Sequence, residues 1–160
     1  MVHARTALII LAIGLSGCQQ KEAPPLLSRV DTADSHSVKK EATIVVPDSV
    51  RDKWKAVRIA VVDKSAAKEA VYTIPLGGTI TLPHSTMNIT VESFLPSFVM
   101  EGSTMTSSGN EPKNPGAKVL IAENGAVVFN AWLFSRYPTT HAFMHPRYGF
   151  TLVNGVPSTP

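Results

Sequence analysis

The 160-residue chain has one cysteine, Cys18. No disulfide can close within it, so packing alone must hold its fold. The formal net charge is only +3. The basic residues are dispersed and form no stripe interleaved with aromatics, which argues against a nucleic-acid partner. No glycine-rich phosphate loop is present, and no serine sits in a G-x-S-x-G turn. Glu92, Glu101, Glu111 and Glu123 are scattered rather than paired as glycoside hydrolysis requires. Ser135, His141, His145, Asp63 and Glu123 amount to an inventory of common residues without a catalytic context. The expectation is a protein that is not an enzyme.

The first apolar run, Ala7 to Leu15, follows Arg5 and leads into Ser16-Gly17-Cys18. It is too short to span a bilayer as a stable helix, and the small residues after it suit an extended cleavage site. Segment 1–17 resembles a bacterial lipoprotein signal peptide. That resemblance implies cleavage before Cys18, a diacylglyceryl group on its sulfur and a further acyl chain, palmitate in type, on the freed amine. Two or more chains, at about 0.8 kcal/mol per buried methylene, make a lasting membrane anchor where one would be marginal. It would also account for an unpaired thiol in an exported chain. The implied address is the cell envelope, facing the periplasm. Gln19 resembles the neutral residue that leaves a lipoprotein free to move on to the outer membrane.

Residues 18–47 read as a flexible tether. Pro24-Pro25 and the polar run after it show no sustained apolar period. The basic Lys21, Arg29, Lys39 and Lys40 cancel the acidic Glu22, Asp31, Asp34 and Glu41. A coil of this kind reaches roughly 30 Å. Residues 48–155 then form one domain with a single core, and 156–160 a C-terminal tail. Asp48-Ser49 is expected to cap a short helix through Trp54. The rest reads as β. Val57, Ile59 and Val61, then Met87, Ile89 and Val91, then Tyr148, Phe150 and Leu152 alternate with their neighbours, each set marking a strand with one face on a core.

Asn124-Gly125, between two apolar runs, predicts a tight hairpin, because both residues tolerate positive φ. The second arm is apolar on both faces, with Val127, Phe129 and Leu133 opposite Val128, Trp132 and Phe134. It is therefore expected to sit centrally between two layers. Segment 101–116, rich in Ser, Gly, Asn and Pro, reads as a long loop, either functional or mobile. The fold class is mainly β: a small antiparallel β-sandwich or partly open barrel of roughly six to eight strands, with one or two short helices.

From Trp132 to Phe150 the chain reads WLFSRYPTTHAFMHPRYGF. Phe129, Ala131, Trp132, Phe134, Pro138, His145, Pro146 and Tyr148 follow a spacing that resembles the C-terminal signature of the bacterial domain-of-unknown-function family 2155. Asp63-Lys64 and Pro75-Leu76-Gly77 occupy places where that exported family often shows aspartate-lysine and proline-x-glycine. Ala131 stands where glycine is usual and Gly149 where aspartate is frequent. The family's two common cysteines are replaced around Glu92 and Phe94 and around Asn154-Gly155. The resemblance implies a fold class and export, but no activity.

Three readings fit this stretch. In the first, Trp132, Phe134, Phe143, Tyr148 and Phe150 form one aromatic core cluster, with His145 hydrogen-bonded and Pro138 and Pro146 flanking a short helical segment. The second places a copper or zinc site on His141 and His145 with Met144, and His84, Met87, Met100 and Met105 as further donors; Pro146 disfavours the helical spacing that it needs. In the third, Arg136, Tyr137, Arg147 and the 101–116 loop form a recognition surface for another envelope protein. The expected role is a membrane-anchored scaffold or binding module, the alternative a small periplasmic copper- or zinc-binding protein. Replacing Cys18 by Ala is expected to release the protein into the soluble periplasmic fraction on cell fractionation. Retention in the membrane fraction would contradict anchoring through Cys18.

Overall fold

The computed structural model describes residues 42–140 and 142–158. Cys18, the tether up to residue 41 and His141 lie outside the described residues. The described chain contains ten strands: β1 (Thr43–Ile44), β2 (Trp54–Asp63), β3 (Lys68–Pro75), β4 (Thr79–Thr81), β5 (Met87–Leu95), β6 (Phe98–Glu101), β7 (Thr104–Ser107), β8 (Gly116–Glu123), β9 (Ala126–Phe134) and β10 (Tyr148–Pro157). The chain is mainly β, as its alternating pattern predicts, with more and shorter strands than that pattern resolves.

Two antiparallel sheets, ordered β10-β2-β3 and β4-β5-β8-β9, enclose the main core. Val57, Ile59 and Val61 of β2 meet Met87, Ile89 and Val91 of β5 and Ala117, Val119 and Ile121 of β8, all buried. Tyr148, Phe150 and Leu152 of β10 complete it. Each large aliphatic chain taken from water here contributes about 1.5 to 3 kcal/mol, which a chain lacking disulfides relies on. β9 comes alongside β10 at one edge. No ladder joins the two sheets among the described residues, so the sandwich stays unclosed.

A third small sheet, β1-β7-β6, pairs β1 with β7 in parallel. It covers a second core of Leu95, Trp132 and Phe134, joined by Ile44, Val46, Phe98 and Met105. A β-bulge in β5 between Val91 and Ser93 makes both cores reachable from one strand. It resets the alternation so that consecutive residues Phe94 and Leu95 are both buried, one in each core.

Several expectations need correction. No helix occurs among the described residues. Around Asp48 the amides of Val50 and Arg51 both donate to the Pro47 carbonyl at 2.9 Å, a turn that ends at Asp52, where φ is 60°. Trp54 is drawn into β2 opposite Pro157, its ring edge-on to Phe94 at 5.0 Å. Burying that indole outweighs one more helical turn. Between Pro138 and Pro146 the chain makes a turn, Thr140 N–H donating to Tyr137 O at 3.0 Å, with no helix in its described part.

The domain also begins earlier than residue 48. The amides of Thr43 and Val45 donate to the carbonyls of Ser103 and Met105, both at 2.9 Å. At the other end β10 continues to Pro157, and Ser158 donates to Lys53 O at 2.9 Å. Segment 101–116 is partly strand, since β7 lies within it; Asn114 then fixes the rest through its amide Nδ2, which donates to Phe98 O at 3.1 Å.

The β8–β9 hairpin forms as predicted, with φ of 52° at Asn124 and 82° at Gly125. β9, however, is the edge strand of its sheet. Its first half leaves Val127 and Val128 exposed, and only Trp132, Leu133 and Phe134 lie between two layers.

Trp132 is 6% exposed, and its Nε1–H points to the Met105 sulfur at 3.0 Å. Trp132→Ala is expected to cost about 3 to 5 kcal/mol in urea unfolding, the usual range for emptying a packed aromatic site. A loss below about 1 kcal/mol would contradict the second core as a stabilising unit.

Candidate functional site

The aromatic residues of the C-terminal stretch fall into two separate groups instead of one. Trp132 and Phe134 belong to the second core. Phe129, Phe143, Tyr148 and Phe150 belong to the main core, with His145 stacked beside them. The split follows from strand alternation, which sends Trp132 and Phe134 to one face of β9 and Leu133 to the other. Pro138 and Pro146 are exposed and sit in neither core.

The candidate site is the crossing from β9 to β10, residues 135–147. Ser135 N–H donates to Pro115 O at 3.1 Å, and Arg136 Nη1 donates to Lys113 O at 2.8 Å, fixing its start. In its middle, Phe143 stacks on Phe129 at 5.0 Å and on Phe150 at 5.7 Å. The return is held by a clasp built from the end of β2 and the start of β10. Lys64 N–H donates to Arg147 O at 2.8 Å, and Lys64 Nζ donates to His145 O at 2.7 Å. Arg147 meets Asp63 Oδ2 through Nη2 at 2.7 Å and Nε at 3.1 Å. Its guanidinium also lies 4.8 Å from the centre of the Tyr148 ring. The antiparallel pairing of Tyr148 with Asp63 places these groups side by side.

His145 organises the turn. Its Nδ1 accepts the backbone N–H groups of Arg147 at 3.2 Å and Tyr148 at 3.0 Å. Nδ1 therefore carries no proton, and Nε2 carries one, facing Glu123 Oε2 at 3.4 Å. The ring is 10% exposed and lies on Tyr148 at 5.5 Å. A metal at Nδ1 would have to displace both backbone bonds, and one at Nε2 would have to displace the proton turned toward Glu123.

Met144 is 85% exposed, and His141, the other half of the metal reading, lies outside the described residues. Met87 is fully buried in the main core, and Met105 serves Trp132. Among the described residues no group of three His, Cys, Asp or Glu side chains is placed to hold a metal ion.

Of the recognition residues, Tyr137 is 58% exposed and Arg136 is exposed with one nitrogen engaged. Arg147 is committed to Asp63 and the Tyr148 ring, so it serves the clasp more than a partner. Glu123 as the partner of His145 was not foreseen. Its place just before Asn124-Gly125 puts it at the hairpin end, where only the folded register brings it near β10.

The Arg147 guanidinium, with the Ser65 hydroxyl and the amides of Ser65 and Ala66, holds the Asp63 carboxyl well below the usual carboxylate range. Arg147 is raised in return by the same contact. No family model, curated protein or solved structure matches the chain.

The depressed Asp63 stabilises the fold fully above the unfolded carboxylate value of about 4, and loses that contribution as pH falls through its lower folded value. The stability difference between the native chain and Asp63→Asn is thus expected to be constant above about pH 5 and to shrink only in stronger acid. Urea unfolding across that range measures it. A difference that grows on acidification would contradict the ion pair.

Proposed function

We propose that the chain is a lipid-anchored protein of the bacterial cell envelope whose β domain acts as a non-catalytic binding module. It docks another envelope protein through the crossing segment around Arg136, Tyr137 and Met144. The Ser16-Gly17-Cys18 leader supports the anchor. No helix among the described residues is long and apolar enough to cross a membrane.

The observation that carries the docking reading is the contrast within one segment. Tyr137 is 58% and Met144 85% exposed, yet both ends of the crossing are pinned by hydrogen bonds and its middle by Phe143. A rigidly presented aromatic and a pliable thioether lose little entropy on binding, which is what a docking loop needs.

The resemblance to the unknown-function family gains support from one spatial coincidence. The two places where that family commonly has cysteines, near Phe94 and near Gly155, lie in contact here. A Cβ on Gly155 would fall 2.6 Å from the Phe94 ring. Ring-against-glycine packing stands where a disulfide would link the same strands.

Photo-crosslinking in intact cells tests the docking reading, with a photoreactive residue in place of Tyr137, Met144 or, as a control on another face, Arg58. The expected result is a discrete adduct with an envelope protein from positions 137 and 144 and none from 58. Equal labelling from all three positions, or none, would contradict it.

A further inference from the structure

At one end of the sandwich, between sheet β10-β2-β3 and the turn joining β4 to β5, lies a cleft of about 250 Å³. It shares Asp63 and Tyr148 with the clasp, while its other walls belong to neither the clasp nor the docking segment. Its space arises where Ala70 on β3 pairs with Val61 on β2, a small side chain beside a strand end. Leu82 closes the apolar side, and Tyr72 and Tyr148 add aromatic surface. Tyr148 is only 5% exposed, and among the described residues its hydroxyl has no hydrogen-bond partner. That hydroxyl is not sealed off either, since among the described residues the only side-chain polar atom both enclosed and unpartnered is Asn114 Oδ1. A phenol hydroxyl at a cleft wall with no protein partner is free to donate to or accept from a ligand.

The rim carries Lys68, Glu69 and His84. His84 holds a left-handed φ of 55°, a conformation that costs a side chain energy and is often kept where a residue must be positioned. Lys68 and Glu69 balance in charge, and the remaining acid, Asp63, is already paired with Arg147. An ionic ligand would find no uncompensated opposite charge, whereas a neutral one with several hydroxyls would find donors and acceptors around apolar walls. Ligand cavities commonly measure about 300 to 1,000 Å³, so this cleft takes a single ring.

We infer that the cleft at Tyr72, Tyr148 and His84 binds one neutral pyranose unit, its C–H faces against Tyr72 and Leu82 and its hydroxyls on Tyr148 and the rim.

Amide NMR spectra of the full isotope-labelled chain in detergent, titrated with glucose, N-acetylglucosamine, chitotetraose and glycine, test the inference. Saturable shifts at Ala70, Tyr72, His84 and Tyr148 are expected with the sugars and not with zwitterionic glycine. Tyr148→Phe, which keeps the ring and loses the hydroxyl, is expected to weaken binding about fivefold with an unchanged melting temperature. Ala70→Leu, on an exposed edge strand, is expected to fill the cleft and abolish binding. Chitotetraose binding at least as well as N-acetylglucosamine would identify the end of a glycan chain as the source, and binding of the single sugars alone a free sugar. Absence of saturable shifts with every sugar, equal binding of glycine, or full affinity in both variants would overturn it.

Discussion

The C-terminal third of the fold depends on one acceptor atom. Nδ1 of His145 takes two consecutive backbone N–H groups, from Arg147 and Tyr148, at the point where the chain leaves its crossing and becomes β10. The Tyr148 amide is partly buried and would be costly to leave without a partner, while the Arg147 amide lies exposed. The imidazole nitrogen, accepting from both, does for this turn what a backbone carbonyl would do elsewhere. Around that atom the ion pair of Asp63 with Arg147 and the two bonds from Lys64 tie the start of β10 to the end of β2.

The two cores share the same economy of means. β5 serves both through one bulge, and β9 serves both through alternation. Glycine supplies the clearance that the large rings need. Gly116 lies where a Cβ would come 3.0 Å from the Phe134 ring, and Gly155 where it would come 2.6 Å from Phe94 and Trp54. At Gly155 the glycine is required by the approaching aromatics and not by its own dihedral angles, and at Gly116 it relieves a tight fit to a ring. Crowding of this kind lets a chain without an internal disulfide hold three small sheets together.

Alternation made β2, β5 and β10 legible in the sequence, and Asn124-Gly125 made the β8–β9 hairpin legible. What alternation could not convey was which face meets which partner. The residues of β9 are apolar on both sides, but Val127 and Val128 are exposed because β9 ends its sheet, and edge position is a property of the whole topology. The helix expected from Asp48 gave way to the burial of Trp54, a tertiary gain that local propensity does not contain. The site was half legible. Asp63-Lys64 and His145 through Tyr148 stood out separately, but their meeting across β2 and β10 depends on a register that only long-range pairing sets. Glu123 and the cleft at Ala70 gave no local signal at all.

The central claim, that His145 acts as a structural acceptor through Nδ1, is open to direct observation by long-range nitrogen NMR of the imidazole in the labelled full chain at neutral pH. The expected result is the neutral tautomer with its proton on Nε2 and a bare Nδ1, together with slow exchange of the Arg147 and Tyr148 amides. A proton on Nδ1, or rapid exchange of both amides, would contradict the clasp and with it the pinned docking segment.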